Sequence, residues 1–138
     1  MIFLKLFFAV FLMVFTLFDD AKATNCQAVG TYNMNSIGFG SGGTTYSSSN
    51  GVKIYKDGNL VGSADGSDFN VCTDYYAVKS QLPIAFGWAS TCAFGFFDEC
   101  HGSYGDQTHI VGEKPETSTD FYGFGIDTIS TCKINFNC

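Results

Sequence analysis

No arginine occurs in the 138 residues, and there are only two prolines, two histidines and one tryptophan. The shortage of cations excludes most. A nucleic-acid surface displaces phosphate counterions with clustered Lys and Arg, whereas seven lysines here face 13 acids for a net charge of −6. The same sign disfavours a cationic, membrane-lytic mode. Helical periodicity is also missing: no stretch repeats apolar residues at i, i+3, i+4 and i+7 without glycine or β-branched crowding. Several chemical signatures are absent as well. There is no CxxC pair for zinc, no G-x-S-x-G nucleophile elbow and no N-x-[ST] glycosylation site. Gly38-Phe39-Gly40-Ser41-Gly42-Gly43 lacks the lysine of a phosphate loop. Asp57, Asp65 and Asp68 do not follow the calcium-binding EF-hand spacing.

What is present starts with a leader. Lys5 supplies a positive start, residues 6–18 form a nearly unbroken apolar run, and Ala21-Lys22-Ala23 offers small residues at −3 and −1. This is the layout of a secretory signal over residues 1–23, leaving residues 24–138 as one secreted domain. Counted from Ile2 to Phe18 and broken by Lys5, the apolar span is at the short limit for crossing ~30 Å of hydrocarbon, and no other stretch is long enough, so stable membrane insertion is not expected. After removal of the leader, five lysines face eleven acids, and 5 − 11 again gives −6.

Export makes the cysteine count meaningful. Cys26, Cys72, Cys92, Cys100, Cys132 and Cys138 are even in number and widely spread, which points to three disulfides. Six cysteines allow fifteen connectivities. The arrangement taken here is a local Cys92–Cys100 loop, Cys26–Cys138 tying the ends and Cys72–Cys132 crossing between sheets.

Strand signals fill the rest. Val52 and Ile54 alternate with Lys53 and Tyr55 before Asp57-Gly58, so residues 52–64 read as a hairpin. A turn at Asp65-Gly66-Ser67 leads to a further strand from Phe69 and Val71. Ile84, Phe86 and Trp88 alternate with the nearly bare Ala85, Gly87 and Ala89. Tyr122, Phe124 and Ile126 share a face opposite Gly123 and Gly125, and Cys132, Ile134 and Phe136 alternate with Lys133, Asn135 and Asn137. Four Phe-Gly dipeptides, at Phe39, Phe86, Phe94 and Phe124, suggest core rings covering glycine gaps. Residues 38–51, rich in Gly, Ser and Thr, and 112–119, with Pro115, read as loops. About nine short strands imply an all-β fold, a small antiparallel β-sandwich or barrel stapled by three disulfides.

The densest polar cluster is Asp98-Glu99-Cys100-His101, followed by Asp106 and the second histidine, His109. Two imidazoles with carboxylates offer donors for a divalent metal or a His–carboxylate acid/base pair. Their spacing follows no metal motif, and the reading preferred here is a polar loop after a buried 94–97 strand, pinned by a Cys100 disulfide. No catalytic residue, metal or cofactor is assigned.

With its leader, its six cysteines from Cys26 to Cys138 and its all-β mature part of about a hundred residues, the chain resembles the small secreted cysteine-rich proteins that fungi, notably plant-associated ones, export as effectors. That resemblance implies a secreted, non-enzymatic protein acting on a host or competitor. The expected binding surface comprises Tyr46 in the 38–51 loop together with Asp98, Glu99, His101, Tyr104, Asp106 and His109. The expected partner is a protein or glycan, not nucleic acid, met by a monomer. The alternative is a secreted hydrolase or metal-dependent enzyme centred on residues 98–109.

Overall fold

The computed structural model describes residues 25–39, 43–66, 69–123 and 125–138, with the backbone alone for 37–39, 43–49 and 122. The expected leader over 1–23, Ser67, Asp68 and Phe124 lie outside the described residues. The strands are β1 (Asn25–Phe39), β2 (Gly43–Lys56), β3 (Asn59–Asp65), β4 (Tyr76–Val78), β5 (Phe86–Ala93), β6 (Phe96–Tyr104), β7 (Gln107–Val111), β8 (Glu116–Tyr122) and β9 (Gly125–Asn137). They form two antiparallel sheets, ordered β3-β2-β1-β9-β8 and β4-β5-β6-β7, so the expected all-β sandwich is what the chain adopts. Among the described residues no helix is long and apolar enough to cross a membrane.

Alternation explains which side chains meet between the sheets. Ala28 from β1, Val52 and Ile54 from β2, and Cys132, Ile134 and Phe136 from β9 point inward from the five-stranded sheet. Phe86, Trp88, Phe97 and Cys100 answer from the other. The Trp88 indole lies against Gly30, where a side chain would collide with the ring, and its edge meets Phe97 at 6.1 Å between ring centroids. Trp88 Nε1–H donates to the Val71 carbonyl at 2.9 Å, satisfying the one polar group this ring buries. The Ser90 hydroxyl donates to the same carbonyl. Phe86 covers Gly102 in the same way as Trp88 covers Gly30; of the four Phe-Gly rings expected in the core, Phe86 is buried, Phe94 is exposed, and the side chains of Phe39 and Phe124 lie outside what is described.

The hairpin over residues 52–64 and the last strand match the sequence reading. Lys56 pairs with Asn59 around Asp57 and Gly58, whose φ angles of 49° and 81° are both positive, as a two-residue type I′ turn requires. Asp tolerates this left-handed backbone better than most side chains.

Other expectations are overturned. The 38–51 stretch is mainly strand, because β1 and β2 stay paired from Cys26↔Lys56 to Phe39↔Gly43. Backbone pairing compensates for a composition that looks like a loop. Within 112–119, residues from Glu116 onward belong to β8. Tyr122 and Ile126 do not share one continuous strand, since Tyr122 pairs with Gly125 across a hairpin turn. Ile84 precedes β5 and is exposed. Phe69 and Val71 are buried but lie in an irregular segment rather than a strand. Phe94 is not in a buried strand either: it occupies a second two-residue turn with Gly95, at φ 51° and 84°, between the paired Ala93 and Phe96.

The disulfides are Cys26–Cys138, as expected, together with Cys72–Cys92 and Cys100–Cys132 in place of the other two expected pairs. Cys92 and Cys100 sit on opposite partners of one hairpin but out of register, since Cys92 faces Phe97 and Cys100 faces Ser90. Cys100 points inward and meets Cys132 of the other sheet, while Cys72 secures the irregular segment against β5. Three disulfides in so small a domain are typical of extracellular proteins.

The contact at Gly30 yields a direct test. Gly30→Ala should lower stability by about 1–3 kcal/mol in urea unfolding, because the added methyl overpacks the Trp88 contact. Gly51→Ala serves as its control, since the nearest atom to an added Cβ is 3.5 Å away. Its effect should stay within about 0.5 kcal/mol.

Candidate functional site

The outward positions of β5 are Gly87, Ala89 and Thr91, paired with Ser103, His101 and Glu99 of β6. The register shifts between Thr91 and Cys92, leaving Asp98 as the extra residue of a bulge. That single insertion lets Phe97 and Cys100 both point inward while Glu99, His101 and Ser103 point out. A second register shift lies between Gly102 and Tyr104, where β6 meets β7. There His109 takes a left-handed backbone, φ 54°.

These irregularities bring the two histidines together. Their rings stack with centroids 4.5 Å apart and planes 18° from parallel. His101 Nε2 lies 3.4 Å from Glu99 Oε1, whereas His101 Nδ1 is buried without a hydrogen-bond partner. Tyr75 stands on the far side, its ring close above Gly87. A shallow cavity of about 160 Å³ lies on this face, with Gly87 and Ala89 as its floor and Tyr75, His101, Ser103 and His109 around it. Small residues are needed at the floor: a side chain at Gly87 would strike both Ser103 and Tyr75.

Of the expected surface, Glu99, His101 and His109 come together. Asp98 is exposed at the bulge nearby. Tyr104 instead faces inward, its ring 5.1 Å from Phe136, because it shares the phase of Cys100 and Gly102. Asp106 sits in the β6–β7 turn at the other end of β6. Tyr46 pairs through its backbone with Ser36 in β2, so it is not on a loop, and its side chain lies outside what is described. Sequence reasoning missed Tyr75 and Ser103. The bare face of β5 was the available signal, since a strand showing only Gly and Ala to one side leaves room there.

Among the described residues, no group of three or more His, Cys, Asp or Glu side chains is arranged to hold a metal ion. The stacked imidazoles present ring faces to each other rather than converging nitrogens. A larger cavity, about 620 Å³, lies elsewhere, beside Asn25, Gln27, Tyr55 and Asn135. Its ionisable lining residues are Tyr55 and Asp57. No family model matches the chain, and neither a curated protein nor a solved structure matches it.

The stacking has a spectroscopic consequence. The His101 ring protons should resonate upfield of free imidazole in NMR spectra and move back on His109→Ala. Unchanged His101 shifts in a folded variant would disprove the stacked geometry.

Proposed function

We propose that the chain is a secreted, non-enzymatic binding protein of the effector or toxin-like type, acting on a host or competitor target through the outer face of β5, β6 and β7. One observation carries this reading: Tyr75, His101 and His109 flank an open floor of Gly87 and Ala89, although none of these three rings belongs to the core. Rings with a polar tip suit recognition, since they offer large contact area at little conformational cost and keep a hydrogen-bonding end. A protein loop or the flat face of a sugar fits so shallow a floor. The disulfide framework and the resemblance to exported cysteine-rich proteins support the extracellular setting.

The hydrolase alternative retains one observation. Glu99, His101 and Ser103 follow one another on the outward face of β6, with Glu99 and His101 within ion-pair distance. Against it, the strands β4 to β7 carry no lysine or arginine to stabilise developing negative charge.

The test is a triple Tyr75→Ala/His101→Ala/His109→Ala variant, screened beside wild type on glycan arrays and on extracellular host proteins. The variant should keep the wild-type circular dichroism spectrum and lose at least about 2 kcal/mol of target binding. Undiminished binding removes this surface from consideration. Turnover of ester or glycoside substrates that Ser103→Ala abolishes favours the hydrolase instead.

A further inference from the structure

Two turns of the same type carry different residues. At Asp57-Gly58 the chain uses a side chain suited to left-handed backbone; at Phe94-Gly95 it places a bulky aromatic in that conformation, φ 51°. The Phe94 side chain is also 93% exposed. The fold therefore accepts backbone strain and an unburied ring at one residue, and no contact within the described domain compensates for either. A local outlier of this kind points to a function for the residue.

The surroundings define a surface. Gly95 packs on Met34 and Tyr32 of β1, with Met34 Cε 2.8 Å from where a Cβ would lie. Met34 pairs with Thr128, and two residues further along β9 lies Ile126, paired with Phe121 of β8. Phe121 is 78% exposed and Ile126 is exposed as well. The Phe94 turn and the β8–β9 hairpin thus share one end of the sandwich and give it an apolar tip.

Among the described residues, charge at that tip has one sign. Asp98 adjoins the turn, and Asp120 pairs directly with Asp127 across β8 and β9, on the face opposite Phe121 and Ile126, an arrangement of like charges that is unfavourable unless compensated. Asp127 Oδ1 is buried without a hydrogen-bond partner. The lysines of the described domain lie towards the other end. Lys53 and Lys133 both pair with Val29, and Lys56 is further along β2. Lys79 precedes Ser80, which bridges to Gly62 opposite Ile54. Lys114 follows Glu113, whose N–H donates to the Lys133 carbonyl at 2.7 Å.

We propose that the Phe94 tip docks a cationic protein segment, with Phe94 and Phe121 packing against its apolar residues, Asp98 meeting its lysines or arginines, and Asp120 and Asp127, on the reverse face of the hairpin, adding to the negative field that draws it in. Charge complementarity selects this occupant. An anionic lipid surface would be repelled, and attraction of basic groups by an acidic rim accelerates and orients docking. This surface is separate from the groove of His101 and His109, and neither reading depends on the other.

The experiment uses the mature protein and a fluorescein-labelled peptide of alternating lysine and leucine as probe. Its glutamate-for-lysine counterpart, phosphatidylglycerol vesicles and sedimentation of the protein alone serve as comparisons. Wild type should bind the cationic peptide saturably and progressively less as salt rises. Phe94→Asn creates the Asn-Gly pair that type I′ turns favour, so its Tm should rise by a few degrees, about 2–6 °C, while peptide affinity falls about tenfold. Phe121→Ser should weaken binding without changing the turn. The triple variant in the groove should bind the peptide normally. The proposal is overturned by absence of saturable binding, by equal binding of the acidic peptide, by equal binding to folded Phe94→Asn, or by Phe94-dependent association with vesicles or a second copy in place of the cationic peptide.

Discussion

The contact between Trp88 and Gly30 sets how closely the two sheets approach, and much else depends on that distance. The indole fills the space that a side chain on β1 would occupy, and its N–H captures the Val71 carbonyl from an irregular segment. One residue therefore joins the five-stranded sheet, the four-stranded sheet and the 69–75 segment. The Cys100–Cys132 link spans the same interlayer gap, and the Phe97 N–H donates to the buried Ser130 hydroxyl at 3.0 Å. Interiors packed this tightly transmit small changes in volume, which is why a single methyl at position 30 is consequential while one at position 51 is not.

With the inward faces fixed, the outward faces become free to specialise. On the four-stranded sheet, Gly87 and Ala89 leave a floor between Tyr75 and the stacked histidines. At the end of the sandwich, the Phe94 turn and the β8–β9 hairpin carry exposed rings among carboxylates. Both sit on a scaffold held by three covalent links, so their geometry does not have to be assembled on meeting a partner, which lowers the entropic cost of binding.

How much of this was legible in the sequence follows from how local each signal is. Alternation and Asp57-Gly58 marked the 52–64 hairpin because both signals are confined to neighbouring residues. Cys132, Ile134 and Phe136 announced a half-buried strand for the same reason. The 38–51 stretch misled because its Gly, Ser and Thr residues have weak preferences, and its strand character comes from pairing with β1. Disulfide partners depend on how the sheets stack, so the choice of Cys72–Cys92 over Cys92–Cys100 carries no local mark. In the candidate site, Glu99, His101 and His109 were marked as a polar cluster. Their meeting depended on a bulge at Asp98 and a left-handed backbone at His109, both of which break the period that alternation assumes. Tyr104 was grouped with that cluster by its place in the chain alone, whereas the phase set by the bulge turns it inward against Phe136.

The segment alongside β5 has a further consequence. Ser90 N–H donates to the Thr73 carbonyl and the Cys72–Cys92 link follows, so beyond the short β4 this border of the sheet is closed by an irregular stretch instead of a full ladder. A strand from a neighbouring molecule finds no regular row of vacant amides there onto which it can add. Along that margin, the molecule resists templated fibre growth even when concentrated.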